Sequence, residues 1–197
     1  MDTIIFATKN KGKIKEITDI LADMDVQVLS MEEAGITADV VEDGTTFEEN
    51  AIKKATEIMK ISGKLTLADD SGLEIDYLDK APGVYSSRFM GEDTPYLEKN
   101  TAILQKLEGV PEEKRTARFV SCIAAVFPDG RVRTCRDTIE GIIGYEIKGS
   151  NGFGYDPIFF VPEIGKYLAE ISREEKNAIS HRGKALRKMK EILKNEL

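Results

Sequence analysis

The chain has 197 residues, 41% hydrophobic and 32% charged, with a formal net charge of −7. That length predicts a single domain, residues 1–197, with one substantial core and at most two lobes. No stretch approaches the roughly 18 apolar residues of a membrane span, and the acidic balance offers no broad cationic footprint for nucleic acid. Neither a membrane nor a nucleic acid is therefore an expected partner, and any polyanionic ligand must be small and locally held. The opening MDTIIFA carries an acid, no basic cluster and too short an apolar run for a secretory leader, so a cytoplasmic location is expected. Cys122 and Cys135 lie in apparent strands and read as small buried hydrophobes. His181 is the only histidine, which excludes multi-histidine zinc sites and leaves metal chemistry to carboxylates.

In chain order, Thr3 to Ala7 reads as a strand, followed by the polar turn TKNKGK and a helix from about Lys13 to Ala22 with Ile14, Ile17, Ile20 and Leu21 at helical spacing. Val26 to Leu29 is a second strand. Thr45 with Glu48 reads as a capping box that opens a helix to Ser62, its stripe Phe47, Ala51, Ala55, Ile58 and Met59, with Gly63 ending it. Leu65 to Ala68 is a short strand delivering the acidic turn ADDSG. Thr94 as N-cap and Pro95 at the first helical position open a third helix that ends near Glu108. Thr116 to Phe127 and Arg131 to Ile143 form a hairpin around Pro128-Asp129-Gly130. A Gly-rich segment, GSNGFGYDPIFFVP, follows, then Leu168 to Ile171, a polar link, and a last amphipathic helix facing Ala185, Leu186, Met189, Ile192 and Leu193 inward. Strands alternate with helices early and a hairpin intervenes later, so the expected fold is α/β with a mixed, partly antiparallel central sheet flanked by helices.

Four segments carry possible chemistry. Lys9, Lys11, Lys13 and Lys15 crowd a helix start, where the macrodipole disfavours cations; either they form a solvated face or an anion such as phosphate relieves the repulsion. Lys54 falls on the buried stripe of its helix, either snorkelling to water or reaching an oligophosphate. Asp69 and Asp70 are adjacent, and on extended backbone they point to opposite faces, so one can be structural and the other catalytic. A carboxylate there either caps the turn or binds Mg²⁺ and orients a water. The glycines around Phe153 and Tyr155 suit either a bend or a loop that lets an aromatic ring stack on a flat base, while Lys176, His181 and Arg182 gather hydrogen-bond donors.

Read together, ATKNKGKIKE, TTFEENAIKKA, ADDSGLEID, APGVYSSRF, GFGYDPIFFVP and EEKNAISHRGKAL resemble, in this order and along the whole chain, the inosine triphosphate pyrophosphatase family. The resemblance implies hydrolysis of non-standard purine nucleoside triphosphates (dITP, ITP, XTP) to the monophosphate and pyrophosphate, Mg²⁺ as cofactor, a homodimer, and two lobes with a cleft between them. It also implies that Thr8, Lys9, Asn10, Lys11, Gly12 and Lys13, with Lys54, hold the phosphates. By the same resemblance Asp70 would bind metal and accept a proton, and Ser71 would contact the nucleotide. It further implies that Phe153, Gly154, Tyr155, Asp156, Lys176, His181 and Arg182 surround a purine that carries a carbonyl at C6. One departure concerns the run Val41-Glu42-Asp43-Gly44, where many members carry an acid in place of Val41; the metal roles of Glu42 and Asp69 stay open. The alternatives are a sensor that grips a triphosphate without hydrolysing it, for which ADDSG has no use, and a pyrophosphatase for modified pyrimidine nucleotides, against which the SHR ending argues.

Overall fold

The computed structural model describes residues 2–197. Its strands are β1 (Asp2–Phe6), β2 (Val26–Ser30), β3 (Leu65–Ile75), β4 (Thr116–Val126), β5 (Val132–Ile143), β6 (Phe159–Val161) and β7 (Lys166–Tyr167). They form one seven-stranded sheet in the order β2-β1-β3-β4-β5-β6-β7. β1 pairs in parallel with β2 and β3, whereas β5–β6 and β6–β7 are antiparallel, so the sheet is mixed as the sequence predicts. The α-helices are α1 (Lys11–Ile20), α2 (Phe47–Ser62), α3 (Tyr96–Lys106), α4 (Arg173–Ile179) and α5 (His181–Glu196).

The described chain divides into two compact units, each assembled from separated stretches. The first comprises residues up to Asp70, Ser121–Asp137 and Arg182–Leu197; the second comprises Ser71–Val120 and Thr138–His181. Alternation along the strands builds two cores in the first unit. Ile4, Phe6, Leu65 and Leu67 pack with Ile17 of α1 and Ala185, Leu186 and Met189 of α5, while Ile5 and Ala68 pack with Ala51, Ala55 and Ile58 of α2. The second unit has its own core, in which Leu73 and Ile75 meet Ile103, Leu107, Phe119, Ile158 and Phe159.

Several boundaries differ from the sequence reading for identifiable reasons. ADDSG is not a turn: β3 runs straight through it for 11 residues, because the buried carboxylates find partners where they stand. Helix α1 starts two residues early, at Lys11, since Asn10 serves as N-cap and its Oδ1 accepts from the N–H groups of Gly12 and Lys13. The cap of α2 is shifted by one residue: Thr46 accepts from Glu49 N–H at 3.1 Å, and Glu49 in turn accepts from the Thr45 N–H at 2.7 Å. Gly63 ends α2 at φ 64°, as expected. Pro95, not Thr94, caps α3; the Thr94 hydroxyl instead donates to Met90 O at 2.5 Å. Leu168–Glu170 is a 3-10 turn, and the polar link contains a helix, α4, with a capping box between Ser172 and Glu175.

Candidate active site

The paired aspartates of β3 divide between the two faces of the strand. Asp69 is 1% exposed. Its carboxylate accepts Lys13 Nζ at 2.9 and 3.1 Å and Arg182 Nε at 3.1 Å, and its backbone carbonyl accepts Lys54 Nζ at 3.1 Å. Burial opposes a charge on Asp69, but Lys13, Arg182 and Lys54 outweigh it and hold the carboxyl far below the usual carboxylate range. Burial pulls Lys13 below its ordinary value against the attraction of Asp69. Glu16 of α1, also buried, lies 3.8 Å from Arg182 and adds a second anion to this cluster.

Asp70 presents the opposite chemistry one residue later. It is 8% exposed, has no ion pair among the described residues, and accepts a hydrogen bond on Oδ2 from Asn50 Nδ2 at 3.1 Å. Burial, then the charge of Glu42, pushes its carboxyl up to about 6. Glu42 itself pairs with Lys54, whose ammonium is raised: burial works against it, and Asp69 and Glu42 more than compensate. Glu42 and Asp70 are thus two carboxylates in mutual repulsion. Among the described residues no group of three or more metal-binding side chains occurs. Such a donor set suits Mg²⁺, which takes one or two carboxylates and completes its shell with phosphate oxygens and water.

The TKNKGK segment is laid out as a loop and a helix start. Thr8 Oγ1 accepts from Asn10 N–H at 3.1 Å, which fixes the turn, and Asn10 caps α1. The lysines separate: Lys13 turns inward to Asp69, Lys9 makes an exposed pair with Asp39, Lys15 pairs with Asp19 along the helix, and Lys11 and Gly12 stay exposed at its first turn. A recess of about 200 Å³ is lined by Thr8, Lys9, Asp39, Glu42 and Lys54 among others. The frustration read at this helix start is therefore relieved in part by protein carboxylates.

In the second unit Phe153 is 58% exposed, with Lys176 Nζ 4.4 Å from its ring centroid. Asp156 Oδ2 accepts both Lys176 Nζ at 2.5 Å and the Phe153 N–H at 3.0 Å. Gly152 sits at φ 71°, and a Cβ there would collide with Asp156 Oδ2, so glycine is required for this loop to close on its own aspartate. Tyr155 turns inward instead: its hydroxyl donates to Ser86 O at 2.5 Å and its ring meets Tyr96 edge-on at 5.2 Å, while Gly154 O accepts from Asn100 Nδ2. His181 is buried and stacks on Phe119 of β4 at 5.1 Å. Ser71, partly buried, continues β3. Lys176, Asp156 and Phe153 are thereby brought together, whereas Arg182, expected with them, is bound to Asp69 in the first unit.

Three participants escaped the sequence reading. Asn50 lies on the stripe of α2 between Phe47 and Ala51, and a buried amide at that position is the signal that points to it. Glu16 and the counter-ion role of Asp69 depend on which helices pack beside β3, which no local pattern encodes.

A model of the Ham1 family matches residues 4–192. A dITP/XTP pyrophosphatase of Desulforamulus reducens is 52% identical over 190 residues, covering 96% of this chain and 94% of that protein. Another from Clostridium perfringens is 47% identical over 203 residues, covering 100% of both. Among solved structures, a HAM1 protein from Coxiella burnetii superposes with a TM-score of 0.93 at 40% identity, covering 99% of this chain and 100% of that one. The Ham1 protein of Staphylococcus aureus does so at 0.92 and 39% identity, covering 100% of both. No helix among the described residues is long and apolar enough to cross a membrane. Matched over nearly its whole length by the family model and by these relatives, the chain is a member of the Ham1 family.

Proposed function

We propose that residues 1–197 form one catalytic domain of a cytoplasmic pyrophosphatase that hydrolyses dITP, ITP and XTP to the nucleoside monophosphate and pyrophosphate. The observation that carries this reading is the division of labour in β3: Asp69 is surrounded by cations, while Asp70 beside it has no ion pair among the described residues and a raised affinity for a proton. That the relatives from Desulforamulus reducens and Clostridium perfringens are dITP/XTP pyrophosphatases supports the substrate class.

In the proposed mechanism Lys13 and Lys54, with the loop from Thr8 through Lys9, Asn10, Lys11 and Gly12, hold the phosphate chain, and Ser71 contacts the nucleotide. Asp70 orients a water molecule and takes its proton as the water oxygen bonds to the α-phosphorus and the bond to the bridging oxygen breaks, releasing pyrophosphate. Asp70 and Glu42 would hold Mg²⁺, which supplies positive charge to the phosphate oxygens. Phe153 stacks on the base, with Gly154, Tyr155 and Asp156 shaping the loop beneath it. Lys176, His181 and Arg182 donate toward it.

Donors facing C6 favour a carbonyl there and leave an adenine amine facing like against like. A panel of dITP, ITP, XTP, GTP, ATP and dUTP, with pyrophosphate and orthophosphate measured separately, should therefore show pyrophosphate release and a preference over ATP of about 10²-fold or more in kcat/KM. Equal turnover of ATP, or release of orthophosphate alone, would overturn the reading. The enzyme is proposed to act as a homodimer. Tyr77, Tyr85, Met90 and Leu97 of the second unit are all at least half exposed and give apolar surface for a second copy to cover. Light scattering should return twice the chain mass of 21.9 kDa, and the single mass would refute the dimer.

A further inference from the structure

We infer that Asn50 is a positioning residue that fixes which oxygen of Asp70 faces the reacting groups. Asn50 is 1% exposed, and both ends of its amide are used. Its Nδ2 donates to Asp70 Oδ2 at 3.1 Å, and its Oδ1 accepts the Gly44 N–H at 2.7 Å. The second bond removes the amide's freedom to flip, because a reversed amide would set its NH₂ group against the Gly44 N–H. Asp70 Oδ2 is therefore held, and Oδ1, which makes no hydrogen bond among the described residues, is the oxygen left for chemistry.

The loop before α2 is built to allow this. A Cβ added at Gly44 would stand 2.6 Å from Asn50 Oδ1 and 2.9 Å from the Cβ of Glu49. Only a residue without a side chain lets the backbone approach the amide closely enough to pin it. Gly44 shows no positive φ, so the close approach is the reason for a glycine here. The same loop carries Glu42, so the contact that orients Asp70 also sets where the second carboxylate begins.

The inference rests on the reading of Asp70 as the group that activates water, and the test separates the two. Asn50→Leu keeps the shape and removes both hydrogen bonds; Gly44→Ala leaves the amide in place chemically and pushes it aside. In each variant kcat for dITP should fall by about 10²-fold, the loss expected from misplacing a reacting group by about 1 Å, with KM changed less than about threefold. Binding of a non-hydrolysable α,β-imido analogue of dITP, followed by calorimetry, should stay at one per chain, which a merely structural defect would reduce. Undiminished kcat in both variants, or loss of kcat in step with analogue stoichiometry, overturns the positioning role. Asp70→Asn, run alongside, reports on the underlying reading: an active Asp70→Asn enzyme refutes that reading, whereas an inactive one with normal turnover in the Asn50 and Gly44 variants refutes only the role of Asn50.

Discussion

Asp70→Asn should abolish turnover and yet make the metal-free protein harder to unfold at neutral pH. The first effect follows from the proposed role as proton acceptor, for which loss of about 10³-fold or more in kcat is expected. The second follows from linkage. The folded state raises the Asp70 carboxyl to about 6, so ionising it costs more in the folded chain than in the unfolded one. The contribution of Asp70 to wild-type stability is thus fullest below pH 4 and declines as pH rises through about 6, a decline that asparagine does not share. A carboxyl raised from 3.8 to about 6 corresponds to about 3 kcal/mol, reduced where Asn50 bonds less well to an amide. For a chain of this size that is about 5 °C or more in Tm. Thermal melts in a chelator at pH 4 and pH 8 should show the two proteins together at the lower value and the variant above at the higher. Mg²⁺ should narrow the gap by favouring ionised Asp70. A variant less stable than wild type at pH 8 would mean that Asp70 is compensated in the fold.

Asp69→Asn, the same substitution one residue earlier, should do the reverse. Asp69 is the shared anion of Lys13 and Arg182, and removing its charge takes the nearest anion from a partly buried lysine and a buried arginine, at up to about 3–5 kcal/mol. Here the folded state depresses the carboxyl, so the stabilisation is complete above the unfolded value of 3.8 and is lost as pH falls toward the folded one. Urea unfolding should place the variant well below wild type at pH 7, with the difference shrinking at pH 3. Equal midpoints at pH 7 would show that the cluster contributes nothing net. With Lys13 and Arg182 released, KM for the nucleotide should also rise.

How far these features can be read without coordinates differs from residue to residue. Adjacent aspartates on extended backbone must face opposite sides, so two carboxylates in different surroundings were legible in Asp69-Asp70. A lysine on a buried helical stripe signals a need for compensation, and Lys54 has it, in Glu42 and the carbonyl of Asp69. The turn reading of ADDSG failed because local statistics for Asp, Ser and Gly favour turns, while the tertiary ion pairs that make β3 continuous lie 56 and 113 residues away at Lys13 and Arg182. Helix α4 was missed for a related reason: with no buried side chains it shows no apolar stripe, and its stability comes from the Ser172 and Glu175 capping box.

The sequence alone determined the elements whose information is local: the short apolar strand β1, the stripe and glycine stop of α2, the hairpin at Pro128-Asp129-Gly130, and the motif order that marks the family. The tertiary structure decided which charges meet. Asp69 draws Lys13 from α1 and Arg182 from α5, while Asp70 meets Asn50 of α2. The reason is physical: periodicity says which face a side chain takes, but a pKa depends on how much water is excluded and which distant charges share the space, and both are set only when helices close over the sheet.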